Sequence, residues 1–175
     1  MKLWVRVIGV ALVAVLFVAM LWWFQPWRVF TESAVMEPLK PSQSEAAEGD
    51  ENQAQSEPKQ LYEGAFISHE HTTTGSAAVL ELEDGSRILR LEGFETSDGP
   101  DLEVWLSDAH VIEGYDGWFL ADDSRYLSLG KLKGSKGNQN YEIPAEVNLE
   151  DYGSAVIWCA RFAVSFGAAE LLASN

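Results

Sequence analysis

The chain is 175 residues long with a formal net charge of −15, and it contains a single cysteine, Cys159. That length implies one domain with a remainder, and one cysteine excludes an intramolecular disulfide framework. A surface this acidic is a poor match for nucleic acid, whose phosphates require Lys and Arg for neutralisation.

The charge is uneven. Residues 1–30 carry Lys2, Arg6 and Arg28 and no acid. Within them, the 18 residues from Val7 to Phe24 are uncharged. As a helix they would span roughly 27 Å, close to the hydrocarbon thickness of a bilayer. Trp4 lies before this run, and Trp22, Trp23 and Trp27 at or beyond its end, as in an interfacial aromatic belt. The run exceeds the ~7–15 residues of a signal-peptide core, and no small-x-small cleavage site follows at once. The expectation is an uncleaved N-terminal transmembrane anchor over 1–30, with a cleaved signal peptide as the alternative. Lys2 and Arg6 place the N-terminus in the cytoplasm and the rest of a single-pass protein outside the cell membrane.

Residues 31–60 hold seven acids and two bases, no aromatic residue, and much Glu, Ser, Gln, Ala and Pro. Such a segment buries too little surface to offset its ordering entropy, so it reads as a disordered acidic linker.

From residue 61 to 175 the texture changes to short apolar or alternating runs separated by turn signals. Asp84-Gly85 lies between two strand-like runs, which is a hairpin signal. A second turn is read at 97–100. In "DLEVWLS", Leu102, Val104 and Leu106 face one way. Further strands are expected around 125–132, 138–143, 154–159 and 162–167, and only "FGAAELLASN" reads as briefly helical. Eight or so short strands in this length define an all-β class, an antiparallel β-sandwich or barrel-like domain.

Cys159 shares a strand face with Ala155 and Ile157, while Val156 and Trp158 share the other. Both faces are apolar, so periodicity does not decide which is core. A buried inert thiol and a reactive one are both open. Arg161 lies two residues on, and a histidine brought close by the fold could partner the sulfur. His69 and His71, spaced i, i+2, would share a face on a strand and could hold a metal with Cys159 or His110, but two histidines are weak evidence and no metal site is assigned. Asp98, Asp101 and Glu103 could supply oxygen ligands to calcium, or simply form a turn. Lys131, Lys133 and Lys136 form the one basic cluster of the domain, without the phosphate-loop pattern. No hydrolase, zinc-protease or dinucleotide motif is present, so enzymatic activity stays undecided and no cofactor is named.

The order "YEGAF", "HTTTG", "LEGFETSDGPDLEVWLS", "LGKLKGSKGNQNYEIP" and "YGSAVIWCARFAVSFGAAEL" resembles the DM-thirteen domain, a module found in Skeletor-type proteins and beside DOMON domains. The resemblance covers nearly all of 61–172. It implies a β-sandwich-like fold and a redox or electron-transfer role with the single cysteine as the redox residue. By that resemblance the cysteine is Cys159 and the histidine before the small-residue turn is His71. Gly99, Pro100 and Asp101 match "GPD", and Leu129, Gly130, Leu132, Gly134, Gly137, Tyr141 and Pro144 match the glycine-spaced segment. The expectation is therefore a membrane-tethered extracytoplasmic redox module centred on Cys159 with His71 as its neighbour, and a redox or extracellular protein as partner. The alternative is a non-catalytic extracellular protein-binding or adhesion module with a structural cysteine.

Overall fold

The computed structural model describes residues 4, 8, 12–16, 33–39 and 58–174. The chain divides into two units, Met1–Thr31 and Glu32–Asn175. In the first, Trp4, Ile8 and residues 12–16 are helical and exposed. Among the described residues no helix is long and apolar enough to cross a membrane. Most of the expected span lies outside them.

The second unit is all-β. Its strands are β1 (Ala34–Met36), β2 (Lys59–Ser68), β3 (Thr74–Glu81), β4 (Arg87–Glu95), β5 (Leu102–Ser107), β6 (Tyr126–Lys131), β7 (Lys136–Ile143), β8 (Ser154–Cys159), β9 (Val164–Glu170) and β10 (Leu172–Ala173). They form one sheet in the order β1-β7-β4-β3-β2-β9-β8-β5-β6, with β10 also paired to β2. Of the two expected forms, sandwich or barrel-like, the single curled sheet is the barrel-like one. Connectivity requires the curl. Seven strand spacings separate β7 from β6, roughly 34 Å in a flat sheet. Residues 132–135 join the same two strands, and a link of that length reaches at most about 18 Å. The two ends must therefore approach each other, giving a half-barrel.

Bulges help the bend. The register shifts between Thr74 and Ser76 and between Leu91 and Phe94. Gly75 (φ 102°) and Gly93 (φ 53°) lie at these shifts, in the left-handed region that glycine reaches without steric cost. The Asp84-Gly85 turn joins β3 to β4 as expected, with the Ser86 amide donating to the Asp84 carboxylate at 2.9 Å.

The concave face gathers alternate residues: Leu89 and Leu91 of β4, Val104 and Leu106 of β5, Ala155, Ile157 and Cys159 of β8. The other face of β8 is buried as well, because residues 108–125 cross it and pack Ala121 and Val111 against Trp105, Val156, Trp158 and Ala168. This double cover explains why β8 reads as apolar on both sides.

Two expectations are corrected. The strand expected near 162–167 is β9, but the helical reading of 166–175 is overturned: Phe166–Glu170 continue β9 and Leu172–Ala173 form β10, since β9 is held between β8 and β2 and tertiary pairing overrides local propensity. The linker was expected to begin at residue 31, yet β1 pairs parallel with β7. Its capture is specific. Both Glu37 carboxylate oxygens accept from Lys133 Nζ, at 2.8 and 2.9 Å, and one also accepts from the Asn140 amide at 2.7 Å. Residues 40–57 of that linker lie outside the described residues, and Lys59 and Gln60 at its far end already belong to β2.

Candidate functional site

Cys159 is the last residue of β8. Its cross-strand partners are Leu102, the first residue of β5, and Val164, the first of β9. Three backbone segments close this end of the half-barrel. The Ala160 amide donates to the Asp101 carbonyl and the Leu132 amide to the Leu102 carbonyl, both at 2.9 Å. The turn 160–163 folds back through the Phe162 amide to the Cys159 carbonyl at 3.3 Å, and Ala163 takes φ 50°. Gly99 completes the seal. A Cβ there would lie 2.8 Å from Leu102 Cδ2 and 3.0 Å from Phe166 Cζ, so its backbone rests directly on both side chains.

Beneath this cover Cys159 is a free thiol with 0% exposure, packed in the cluster that includes Leu102, Val164 and Phe166. In the closed structure no alkylating reagent or partner sulfur reaches Sγ, and thiol–disulfide exchange requires that contact. Arg161 is exposed in the 160–163 turn.

His71 reaches the same end by a different route. It follows β2 in the turn 69–73, and its ring lies on Phe166 with centroids 3.9 Å apart. Nδ1 is within hydrogen-bond distance of Ser97 Oγ, at 2.6 Å, and Nε2 is paired with the Glu70 carboxylate. Both ring nitrogens are thus engaged by groups other than the thiol. The turn is fixed by Thr73, buried, whose hydroxyl donates to the Phe166 carbonyl at 2.9 Å and lies 2.9 Å from Thr96 Oγ1. Thr73, Thr96, Ser97 and Phe166 were not singled out from sequence. The run "HTTTG" carried the first of them, but nothing local shows which of three threonines turns inward.

His69 does not share a face with His71, because β2 ends at Ser68 and both lie in the turn. Its Nδ1 is 2.8 Å from Ser165 Oγ. With His110, Val156 and Ala168 it lines a cavity of about 10 Å³, enough for one water at most. Burial lowers the His69 pKa from its ordinary 6.5, opposed by the Ile112 carbonyl. Among the described residues no group of three or more His, Cys, Asp or Glu is placed to hold a metal.

The lysine cluster is neutralised within the fold. Lys131 pairs with Asp101 and Glu103, Lys133 with Glu37, and Lys136 with Glu95. The Lys131 ammonium thus lies between Asp101 and Glu103, two of the carboxylates considered as calcium ligands. Lys131 is the main cause that holds the Glu103 carboxyl below its usual range, followed by the Trp105 indole. The glycine-spaced segment is clamped by Gln139 and Tyr141. Gln139 Nε2 donates to the Gly134 carbonyl at 2.8 Å, and the Lys133 amide donates to Tyr141 Oη at 3.0 Å. Burial pushes the Tyr141 phenol up to about 12.

The fold and this closed end define a class: a small curled-sheet domain built around one sealed thiol. The family model described as "Electron transfer DM13" matches residues 65–171, from within β2 through Leu171, and the chain belongs to that family. No curated protein and no solved structure matches the chain.

Proposed function

We propose that the chain is a membrane-tethered, extracytoplasmic electron-transfer module whose redox-active group is Cys159, with His71 at the rim of the same interior. One observation carries this reading. The segments that hold the family-like residues Gly99, Pro100, Asp101, Leu132 and Cys159 meet at one end of the sheet, tied by the bonds from Ala160 to Asp101 and from Leu132 to Leu102. A sealed interior favours electron exchange over sulfur exchange, since an electron crosses a short apolar gap that a reagent cannot enter. On oxidation the thiol gives one electron to a one-electron acceptor and its proton to the medium, leaving a thiyl sulfur. A redox partner restores both. The tether is supported by the uncharged run from Val7 to Phe24, its flanking tryptophans, and Lys2 and Arg6 before it.

The test uses the reduced full chain with hexachloroiridate(IV) as acceptor, an outer-sphere one-electron oxidant strong enough to take a thiol to the thiyl level. The wild type should release about one electron per chain in the native state, and Cys159→Ala should release none by this route. Full chain that stays with membranes after an alkaline wash, and is cut by protease added outside intact cells, supports the tether and its orientation. Free sedimentation behaviour would remove them.

A second reading is favoured by the 0% exposure of Cys159: a non-catalytic extracellular protein-binding or adhesion module with a structural cysteine. It requires wild type and Cys159→Ala to behave alike toward the acceptor and to differ only in stability.

A further inference from the structure

Cys159 is bonded to Trp158, whose side chain points to the opposite, convex face. There Trp158 stacks on Trp105 with centroids 4.9 Å apart and planes at 24°. Trp105 in turn stacks on Tyr126 at 3.8 Å and 7°. Exposure rises along this line, from 2% at Trp158 and 4% at Trp105 to 46% at Tyr126. Three adjacent strands, β8, β5 and β6, supply one ring each. Packing beneath residues 108–125 accounts for burying the two indoles. It does not require a third ring, nearly parallel to the second, to continue the stack out to solvent.

The surroundings suit a positive charge on the middle ring. The Trp105 indole N–H donates to Glu103 Oε2 at 2.8 Å, and Ser128 Oγ donates to the same oxygen at 2.9 Å. Lys131 sits between Glu103 and Asp101. Two carboxylates against one ammonium leave net negative charge beside the indole, which favours its oxidised, cationic form. Lys131 also keeps the Glu103 carboxylate ionised, so the carboxylate accepts the hydrogen bond without taking the proton.

We infer that Tyr126, Trp105 and Trp158 form an electron relay between the surface and the residue bonded to Cys159, serving a one-electron oxidant or electron-accepting partner that contacts the Tyr126 ring. The inference rests on the electron-transfer reading of the domain and gives it an entry point. In a single transfer the acceptor at Tyr126 gains one electron from the Tyr126–Trp105 stack. The hole rests on Trp105. One electron then passes from Trp158 to Trp105, which returns to its neutral state and leaves the hole on Trp158. No bond forms or breaks, and the indole protons stay in place.

The test is flash-quench oxidation of the full chain with ruthenium(III) tris-bipyridine, a cation attracted to this acidic surface, in air. Oxidation products are assigned to residues by peptide mass spectrometry. In the wild type, Trp158 should be oxidised despite its burial. In Trp105→Phe its yield should fall by about tenfold or more, while oxidation of Trp118, outside the stack, is unchanged and serves as the internal control. Tyr126→Leu replaces a half-exposed ring and leaves both indoles in place, so it covers the case in which Trp105→Phe does not fold. It should lower the Trp158 yield in the same direction. An unoxidised Trp158 in the wild type, or a yield indifferent to both substitutions, overturns the relay. That result leaves the electron-transfer reading to the hexachloroiridate comparison, which does not depend on the ruthenium probe. Conversely, a working relay in a chain whose Cys159 releases no electron would contradict the thiol's role and leave the relay standing.

Discussion

The His71 ring rests on Phe166, with centroids 3.9 Å apart and planes at 36°. Gly99 lies against the same phenylalanine from the loop that leads into β5. Phe166 thus ties the histidine turn, the 97–101 loop and the interior cluster that holds Cys159 into one closed end. His71 takes part through its ring face, since its nitrogens are committed to Ser97 and Glu70.

Gly99→Ala tests the seal. The added Cβ would meet Leu102 Cδ2 and Phe166 Cζ at 2.8 and 3.0 Å, closer than carbon atoms tolerate. These are side-chain atoms that can shift, so the variant should fold with a loss of about 1–3 kcal/mol. Displacing them should raise the native-state alkylation rate of Cys159 severalfold over wild type. Urea unfolding and timed iodoacetamide labelling read the two effects, and an unchanged labelling rate would show that Gly99 does not close the interior.

Substitutions of Cys159 separate packing from polarity. Cys159→Ala removes one large atom from a fully buried site and should cost about 1 kcal/mol, similar to a deleted methylene. Cys159→Ser fits the space but buries a hydroxyl among apolar side chains, and should cost about 2–3 kcal/mol. Denaturant midpoints in the order wild type, Ala, Ser confirm an apolar site. Serine as stable as cysteine would reveal a polar partner.

His69 predicts an acid-side loss of stability. Its pKa is lowered in the folded state by burial, so the unfolded chain takes up a proton first as pH falls through 6.5. The contribution of the neutral, Ser165-bonded ring is therefore full above that pH. It declines as pH drops below it, and levels off once the folded-state pKa is passed. His69→Gln removes this component. Thermal unfolding of both proteins between about pH 7.5 and 5.5 should show the steeper fall in wild type. Parallel curves would mean that His69 titrates as it does when unfolded.

How much of this was legible in the sequence depends on range. The Asp84-Gly85 hairpin and the common face of Leu102, Val104 and Leu106 follow from turn chemistry and two-residue periodicity. The face shared by Ala155, Ile157 and Cys159 was visible too, but which side is concave was not, because residues 108–125 bury the other side from a distance in sequence. β1 was hidden for a similar reason. Its composition is that of a linker, and what holds it is supplied by β7 and Lys133, about a hundred residues on. The family resemblance pointed to Cys159 and His71. It carried no sign that their link would run through Phe166, or that the stack from Trp158 to Tyr126 would leave by the opposite face.

The most direct measurement is electron release from Cys159 while the thiol remains sealed. One aliquot of the reduced full chain is mixed with hexachloroiridate(IV), and a second, without oxidant, is pulsed with iodoacetamide for the same time. A redox-active interior thiol gives about one electron per chain while Cys159 stays unalkylated, and Cys159→Ala abolishes that release. Equal release from both proteins, or release only after Cys159 becomes open to alkylation, would contradict electron transfer through a closed interior and leave the cysteine as a packing residue.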